Sequence, residues 1–227
     1  MKKTERIMKG LPNMQETKNK KGCFIAFEGI DGSGKSTQIN LLKKRLQNEK
    51  IKYYGTCEPT DSPIGSLIHQ IMTGRVLSDN KVVAALFVAD RLDHLLNPTN
   101  GIYAKILDGI SVISDRYYFS SYAYHSVDMP MEWVIEANSQ SAEILRPSVT
   151  VFIDVSPNNA LKRLSEARFH PELFETRERL ISVREKYFEA FEKLKNVENI
   201  VIVDGEKDEH ILETEIWEKI KVYFAAQ

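Results

Sequence analysis

The stretch G-I-D-G-S-G-K-S-T, residues 29–37, decides the fold of this 227-residue chain. It matches the pattern G-x-x-x-x-G-K-[ST], with Gly29, Gly34, Lys35 and Ser36 at the fixed positions. A loop with few side chains lets backbone N–H groups approach phosphate oxygens, and the helix that follows adds a positive dipole end. In this pattern the lysine reaches the β- and γ-phosphates, and the serine hydroxyl binds Mg²⁺.

The residues around this loop fit the strand and helix that the pattern requires. Cys23–Phe27 is a short apolar run typical of a buried strand, and Ile39, Leu42 and Leu46 recur at helical spacing. A chance match to the pattern is the alternative, and this context argues against it. The residues predicted to bind the phosphates of a nucleoside triphosphate are Gly29, Asp31, Gly32, Ser33, Gly34, Lys35, Ser36 and Thr37.

Composition and charge argue against several other classes of protein. The formal net charge of −1 gives no general reason to bind nucleic acid or a membrane, and no apolar run approaches the length of a membrane span. The two cysteines, Cys23 and Cys57, do not make a disulfide framework. Residues 1–21 are polar and basic, which favours a disordered extension over a targeting sequence. We expect a cytoplasmic protein with one folded domain over residues 22–227.

Apolar runs alternate with helical patterns along the rest of the chain. The predicted strands after the first are Lys52–Thr56, Ile110–Ser114, Val149–Val155 and Ile200–Val203. This alternation predicts a parallel sheet with helices on both faces and ligands at the carboxyl ends of the strands. The expected fold is α/β, a three-layer P-loop NTPase fold with a five-stranded parallel sheet and a short lid.

The run F-V-A-D-R, Phe87–Arg91, lies on a predicted helix. Phe87 and Arg91 share one helix face because they are four residues apart. An aromatic ring beside a fork-shaped cation can stack on a nucleobase and bond its edge. The alternative is that Phe87 belongs to the core and that Arg91 pairs with Asp90 or Asp93 on the surface.

The run D-R-Y-Y-F-S-S-Y-A-Y, residues 115–124, directly follows a predicted strand. Asp115 therefore stands at the carboxyl end of a strand, where a carboxylate can face Mg²⁺ or its waters. Arg116 can hold a phosphate through two hydrogen bonds, and Ser120 and Tyr124 share a helix face. The alternative is an ion pair with aromatic packing around it.

The stretch Lys162–Lys186 is rich in both charges. It suits a solvated helix face balanced by glutamates, or a mobile lid whose arginine closes over the transferring phosphate. His170 and Pro171 interrupt the helical pattern, which favours the lid. The arginines in this stretch are Arg163, Arg168, Arg177, Arg179 and Arg184.

From about Gly22 to its C-terminus the sequence resembles the thymidylate kinase family. The motifs that carry the resemblance are F-E-G-I-D-G-S-G-K-S-T (27–37), E-P-T (58–60), F-V-A-D-R (87–91), D-R-Y-Y-F-S-S-Y-A-Y (115–124) and F-I-D-V-S-P (152–157). The P-loop alone is shared by many families, whereas this combination in this order is specific. The resemblance implies ATP-dependent phosphorylation of dTMP to dTDP with Mg²⁺, by a homodimer whose other partners are small molecules.

The resemblance also implies roles for individual residues. Phe87 would stack on thymine, Arg91 would bond its O4 edge, and Arg116 would hold the acceptor phosphate. Asp31 would bond the deoxyribose 3′-hydroxyl, and Tyr124 would reject ribose by its bulk. The residues implied in catalysis are Lys35, Asp31, Arg116, Arg168 and Asp115. The residues implied in binding Mg²⁺ are Ser36 and Asp115. The residues implied in binding dTMP are Asp31, Glu58, Phe87, Arg91, Arg116, Ser120, Ser121, Tyr124 and Tyr187.

One departure from the family pattern lies in the P-loop. Gly32 stands where some relatives carry a basic residue. In such sequences the lid supplies the arginine, so we expect Arg168 to act there, with Arg163 as the second candidate.

Two further departures concern the acceptor phosphate. Cys57 and His69 stand where many relatives have arginines, which leaves Arg116 with fewer helpers. Either another cation compensates, such as Arg75, or dTMP binds more weakly.

Two other functions stay open on the sequence. The chain lacks the guanine-reading N-K-x-D of GTPases, but another nucleoside monophosphate or deoxynucleoside kinase would carry a similar P-loop. A non-catalytic nucleotide-binding module is the second alternative, and the departures at Cys57 and His69 are its only support.

Overall fold

The structure is a computed structural model that describes residues 21–167 and 176–225. Within these ranges five strands form one sheet, with ten helices around it. The strands are β1 Phe24–Glu28, β2 Tyr53–Cys57, β3 Ser111–Asp115, β4 Val149–Asp154 and β5 Ile200–Asp204. The helices are α1 Lys35–Asn48, α2 Pro63–Met72, α3 Asn80–Leu96, α4 Ile102–Leu107, α5 Tyr118–His125, α6 Met131–Ala137, α7 Ser139–Ile144, α8 Pro157–Ala167, α9 Arg177–Leu194 and α10 Glu209–Phe224.

Some of the predicted features lie outside the described residues. They are residues 1–20 of the predicted extension and the lid arginine Arg168. No helix in the described part of the chain combines the length and the apolar character needed to cross a membrane.

The sheet is parallel throughout, in the order β2-β3-β1-β4-β5. The chain leaves the central strand β1 to one side for β2 and β3 and to the other side for β4 and β5. A ligand crevice forms at the carboxyl ends of the strands where the chain changes direction in this way. The predicted α/β fold with a five-stranded parallel sheet is confirmed.

Every strand except β4 ends one residue beyond the run that predicted it, whereas β4 ends at Asp154, one residue before the predicted end at Val155. Glu28, Cys57 and Asp115 are the last residues of β1, β2 and β3. A parallel ladder pairs backbone groups, so it continues past the last apolar side chain. Because Cys57 and Phe27 both lie opposite Asp115 in the register, the polar ends of these strands share one edge of the sheet.

The helix starts are set by capping residues rather than by the first apolar residue. Apolar spacing alone predicts α2 over Ser66–Thr73 and α3 over Ser78–Leu96. Helix α2 instead begins at Pro63, because Ser62 accepts a hydrogen bond from the Gly65 backbone and Pro63 takes the first helical position. Helix α3 begins after Asp79, whose carboxylate accepts from the Lys81 backbone at 2.8 Å. The predicted helices were therefore misplaced by two or three residues at their N-termini.

An aromatic cluster between the sheet and α9 holds the acceptor side of the crevice in place. The fully buried ring of Phe152 lies 4.8 Å from that of Tyr187 and 5.0 Å from that of Phe191, centroid to centroid. Phe191 in turn contacts Phe119 of α5 at 5.1 Å. Burial of large rings is the main source of stability for such packing, so α5 and α9 are positioned by this cluster.

We predict that Phe152→Ala lowers the free energy of unfolding by about 3–5 kcal/mol, because it removes a buried ring and leaves a cavity. Its register partner on β5, Ile202, is 45% exposed and is the matched control. Ile202→Ala should cost less than about 1 kcal/mol. Urea unfolding followed by circular dichroism measures both. Equal losses would show that the aromatic cluster does not hold α9 on the sheet.

Candidate active site

The P-loop takes backbone conformations that require its glycines. Gly29 has φ +151°, and a Cβ there would lie 2.8 Å from the Ile153 carbonyl oxygen. Gly32 has φ +79°, and a Cβ there would lie 2.4 Å from the Ala160 carbonyl oxygen of α8. Gly34 precedes α1 at φ +94° without a side-chain cap. The first N–H groups of α1 are therefore oriented toward the loop, where an anion can accept from them.

Lys35 is held inside this loop by two carbonyl groups. Its Nζ donates to the Gly29 oxygen at 3.0 Å and to the Ile30 oxygen at 3.1 Å. Burial and the nearby Arg116 guanidinium lower the pKa of Lys35 to about 8. The ammonium group is therefore poorly solvated, and an arriving phosphate would be its best available counter-charge.

Ser36 and Asp115 lie together at the edge of the sheet. The Ser36 hydroxyl donates to Asp115 Oδ2 at 3.1 Å, and the buried Oδ1 has no hydrogen-bond partner among the described residues. A hydroxyl and a carboxylate are the oxygen ligands that Mg²⁺ uses in phosphate sites. No group of three or more His, Cys, Asp or Glu side chains in the described residues could hold a metal alone. A cation here would therefore take waters and phosphate oxygens as its further ligands.

Arg116 stands immediately after β3 and reaches across to the P-loop. Its φ of +74° is unusual for a residue with a side chain and turns the side chain into the crevice. Nη1 donates to the Gly29 carbonyl at 3.2 Å and to Ser120 Oγ at 2.9 Å. Nη2 donates to Asp31 and, at 3.2 Å, to the Tyr124 hydroxyl. The structure thus brings the predicted acceptor arginine against the predicted donor loop.

Asp31 faces the same side of the crevice as a charged acceptor. The Tyr124 hydroxyl donates to its Oδ2 at 2.8 Å. Burial favours the neutral acid, but Arg116 and Lys35 outweigh it and hold the pKa of Asp31 below its usual value. Asp31 is therefore ionised at neutral pH and can accept a hydrogen bond from a ligand hydroxyl.

A cavity of about 480 Å³ joins these groups. The predicted site residues that line it are Asp31, Gly32, Lys35, Ser36, Glu58, Phe87, Asp115, Arg116, Ser120, Ser121 and Tyr124. Tyr187 and Arg91 lie behind the wall: the Tyr187 hydroxyl is 2.9 Å from Ser120 Oγ, and Arg91 Nη1 donates to Ser121 Oγ at 3.1 Å. One cavity therefore connects the phosphate loop with most of the residues expected at the acceptor.

Arg91 is completely buried and pairs with Glu58. Its Nε donates to Glu58 Oε2 at 2.8 Å, and its Nη1 also donates to Asn138. The surface pair with Asp90 or Asp93, which the sequence left open, does not form. Asp90 instead accepts from the Thr60 backbone and hydroxyl, at 2.8 and 2.6 Å, and so fixes the E-P-T loop.

Phe87 and His125 form one end of the cavity wall. Their ring centroids are 5.2 Å apart, with the planes tilted by 58°. Burial and the charges of Arg91 and Arg179 lower the pKa of His125 to about 4, so this imidazole is neutral at physiological pH. Sequence reasoning missed His125, although it follows Tyr124 directly and lies one helical turn after Ser121.

The two residues that depart from the family pattern at the acceptor end line the cavity, and so does a cation other than Arg75. Cys57 and His69 are in the wall, whereas Arg75 is exposed and outside the lining. Arg179 does line the cavity, and it donates to Asp128 at 2.8 Å and to the Tyr124 carbonyl at 3.4 Å. Arg179 belongs to the charged stretch Lys162–Lys186, but spacing alone did not distinguish it from the other arginines there.

Arg163, the second lid candidate, lies beside the P-loop. Its Nη2 donates to the Gly205 carbonyl at 2.9 Å and its Nη1 to the Ser33 carbonyl at 3.4 Å. Arg163 thus joins the P-loop to the loop that follows β5, through a backbone carbonyl of each. The first candidate, Arg168, is outside the described residues.

Comparison with known proteins places this site in a family. The family model for thymidylate kinase matches residues 27–216. The "Probable thymidylate kinase" of Methanocaldococcus jannaschii is 36% identical over 184 residues, which cover 81% of this chain and 87% of that protein. The "Probable thymidylate kinase" of Methanosphaera stadtmanae is 34% identical over 206 residues, covering 88% and 98%. The chain therefore belongs to the thymidylate kinase family.

Proposed function

We propose that this protein transfers the γ-phosphoryl group of ATP to the 5′-phosphate of dTMP, giving ADP and dTDP. Family membership supports the reaction and ATP as the donor. The observation that carries the proposal is the position of Arg116, whose guanidinium donates to both the P-loop carbonyl of Gly29 and the Asp31 carboxylate. A cation that can hold the acceptor phosphate therefore stands next to the loop that would hold the donor phosphates.

On the donor side, Lys35 and the loop amides bind the β- and γ-phosphates of ATP. Mg²⁺ would offset the negative charge of the phosphates. Ser36 and Asp115 would hold it, and the buried Asp115 Oδ1, which has no hydrogen-bond partner among the described residues, would offer it an oxygen ligand. Replacing the two carbonyl contacts of Lys35 with phosphate oxygens restores the solvation that burial removes.

On the acceptor side, Arg116 binds the 5′-phosphate and Asp31 accepts from the 3′-hydroxyl of deoxyribose. Phe87 stacks on thymine, and Arg91 bonds its O4 edge. Since Ser121 lies between Arg91 and the cavity in this structure, this contact requires the Ser121 hydroxyl to exchange partners. Tyr124 stands beside Asp31, where its bulk would exclude a 2′-hydroxyl.

The transfer itself needs alignment and charge compensation rather than a general base. The acceptor phosphate is already anionic at neutral pH, so no proton has to be removed from the attacking oxygen. Cations around the two phosphates lower the barrier by offsetting charge as it spreads. We assign this role to Lys35 and Arg116, with Arg168 of the lid ahead of Arg163. Arg179 would supply the charge that Cys57 and His69 do not.

A homodimer is also part of the proposal. Helices α2 and α3 flank the core and expose apolar side chains that a second copy could bury. These are Leu67, Val82 and Leu96, with exposed fractions of 38%, 50% and 45%.

A panel of acceptors tests the reaction. We expect ADP release from ATP and Mg²⁺ to show the highest kcat/KM for dTMP among dTMP, dUMP, dCMP, dGMP, AMP and thymidine. One methyl group should favour dTMP over dUMP by about 10–200-fold. Equal use of dTMP and dUMP would contradict the thymine pocket. Tight ATP binding without turnover on any acceptor would identify a non-catalytic module.

The stacking role of Phe87 predicts a selective loss. Phe87→Ala should raise KM for dTMP by about 5–100-fold, because stacking of one base is worth about 1–3 kcal/mol, and should leave KM for ATP within about twofold. Lys81→Ala, on the exposed side of the same helix, is the control and should change neither constant. An equal rise in both KM values would show that Phe87 does not contact the base.

The low pKa of Lys35 predicts a pH-dependent affinity for ATP. Phosphate favours the charged lysine, so binding is strongest below pH 8 and weakens as the pH rises through about 8. At pH 8 we expect uptake of about half a proton per ATP bound. Calorimetry in buffers of different ionisation enthalpy measures this uptake. Lys35→Met should abolish it and Lys44→Met, on the exposed face of α1, should not. A flat affinity from pH 7 to 9 would contradict the assignment.

A further inference from the structure

Glu28 is a buried carboxylate to which neither the motifs nor the mechanism above gives a role. It ends β1, directly before the P-loop, and is completely buried. Four groups donate to it. Oε1 accepts from the backbone N–H groups of Tyr117 at 2.8 Å and Ser120 at 3.2 Å. Oε2 accepts from Ser120 Oγ at 2.6 Å and from the Tyr187 hydroxyl at 2.8 Å. Glu28 thus joins the start of α5 to the end of the strand that carries the P-loop.

The same two hydroxyls that bind Glu28 also contact Arg116. Arg116 Nη1 donates to Ser120 Oγ at 2.9 Å and to the Tyr187 hydroxyl at 3.5 Å. Each hydroxyl has one proton to give and lone pairs that accept. When each hydroxyl donates to the Glu28 carboxylate, or one of them donates to the other at 2.9 Å, their lone pairs face the guanidinium. The Glu28 carboxylate therefore sets the direction of the hydrogen bonds that these two hydroxyls make with Arg116.

The electrostatic environment of Glu28 is that of a buried carboxylate that influences Arg116 through two intervening hydroxyls. Burial raises the pKa of Glu28, while its hydrogen bonds and the charge of Arg116 oppose that rise. Glu28 makes no ion pair with any residue in the described part of the chain. Its charge is compensated by these hydrogen bonds and by two nearby cations, Arg116 beyond the two hydroxyls and Lys35 of the P-loop. Of the two cations, Arg116 is the one that shares hydroxyl partners with Glu28, so a change at Glu28 alters the contacts of Arg116.

We infer that Glu28 is a positioning residue for phosphoryl transfer, which orients the Ser120 and Tyr187 hydroxyls so that Arg116 is held ready for the acceptor phosphate. This inference rests on the role of Arg116 in the proposed function. Glu28 itself touches no substrate. It also fixes the first turn of α5 to β1, which keeps the acceptor side of the cavity in register with the donor loop.

Glu28→Gln separates this role from simple packing. The backbone N–H groups of Tyr117 and Ser120 can only donate, so the amide oxygen must face them and the NH₂ group must face the hydroxyls. The hydroxyls then accept from the amide and turn their protons toward Arg116. We expect kcat to fall about 10–100-fold, as for the loss of a hydrogen bond to a charged group, with KM for ATP within about twofold.

Equilibrium binding gives a second measure that does not depend on turnover. Titration calorimetry should show weaker binding of dTMP to Glu28→Gln and unchanged binding of thymidine, because only the phosphate uses Arg116. The control is Glu198→Gln, which changes another buried carboxylate that accepts from a tyrosine, Tyr118 of the same helix, at 2.8 Å. This variant should lose thermal stability and keep kcat.

Combining variants tests the pathway itself. Tyr187→Phe alone should lower kcat, and added to Glu28→Gln it should cause no further loss, because the Tyr187 hydroxyl is one of the two through which Glu28 acts on Arg116. Additive losses would overturn the inference, as would a Glu28→Gln enzyme with normal kcat and normal dTMP binding. If Glu28→Gln does not fold, the Tyr187→Phe variant decides: unchanged kcat and dTMP binding there would also overturn it. A wild-type protein that neither binds nor phosphorylates dTMP would instead refute the proposed function.

Discussion

The contact between Arg116 and the P-loop is the interaction on which the site depends. It exists because β3 pairs in parallel with β1, so that Phe27 lies opposite Asp115 and Arg116 follows at the edge of the sheet where the P-loop begins. The Arg116 backbone N–H continues this pairing by donating to the Phe27 carbonyl at 2.9 Å. Its left-handed φ then turns the guanidinium toward Gly29 and Asp31. The register between β1 and β3 therefore sets the distance between the Arg116 guanidinium and the P-loop.

Two phosphates of like charge must meet in such a crevice, and most of the surrounding chemistry serves that requirement. Like charges a few ångströms apart repel strongly when water is excluded, because the effective dielectric constant is low. The cations of the cavity wall are Lys35, Arg116 and Arg179, which bind carbonyl or carboxylate oxygens of the protein. Ligand phosphates would replace the carbonyl contacts of Lys35 and bring it a formal counter-charge.

Sequence patterns predicted the fold well and the site in part. They predicted features that depend on residues close together in the sequence and missed contacts between residues far apart in it. Local rules gave the P-loop, the parallel sheet and the i, i+4 placement of Phe87 and Arg91, because glycine conformation and apolar periodicity act within a few residues. They did not give the partner of Arg91. Glu58 lies more than thirty positions away, and a nearby aspartate was the obvious choice from spacing. Glu28 and Asn138 were missed for the same reason, since their roles arise only when α5, α9 and β1 meet.

The packing of Gly32 explains why the P-loop of this chain carries no basic residue at this position. A Cβ at this position would lie 2.4 Å from the Ala160 carbonyl and 3.0 Å from Leu164, both on α8. An arginine or lysine here would therefore require α8 to move away from the loop. The close approach has a benefit, because it brings Arg163 of the same helix to the Ser33 carbonyl. The lack of a basic residue at position 32 and the position of Arg163 beside the loop are thus two consequences of one helix lying against one glycine.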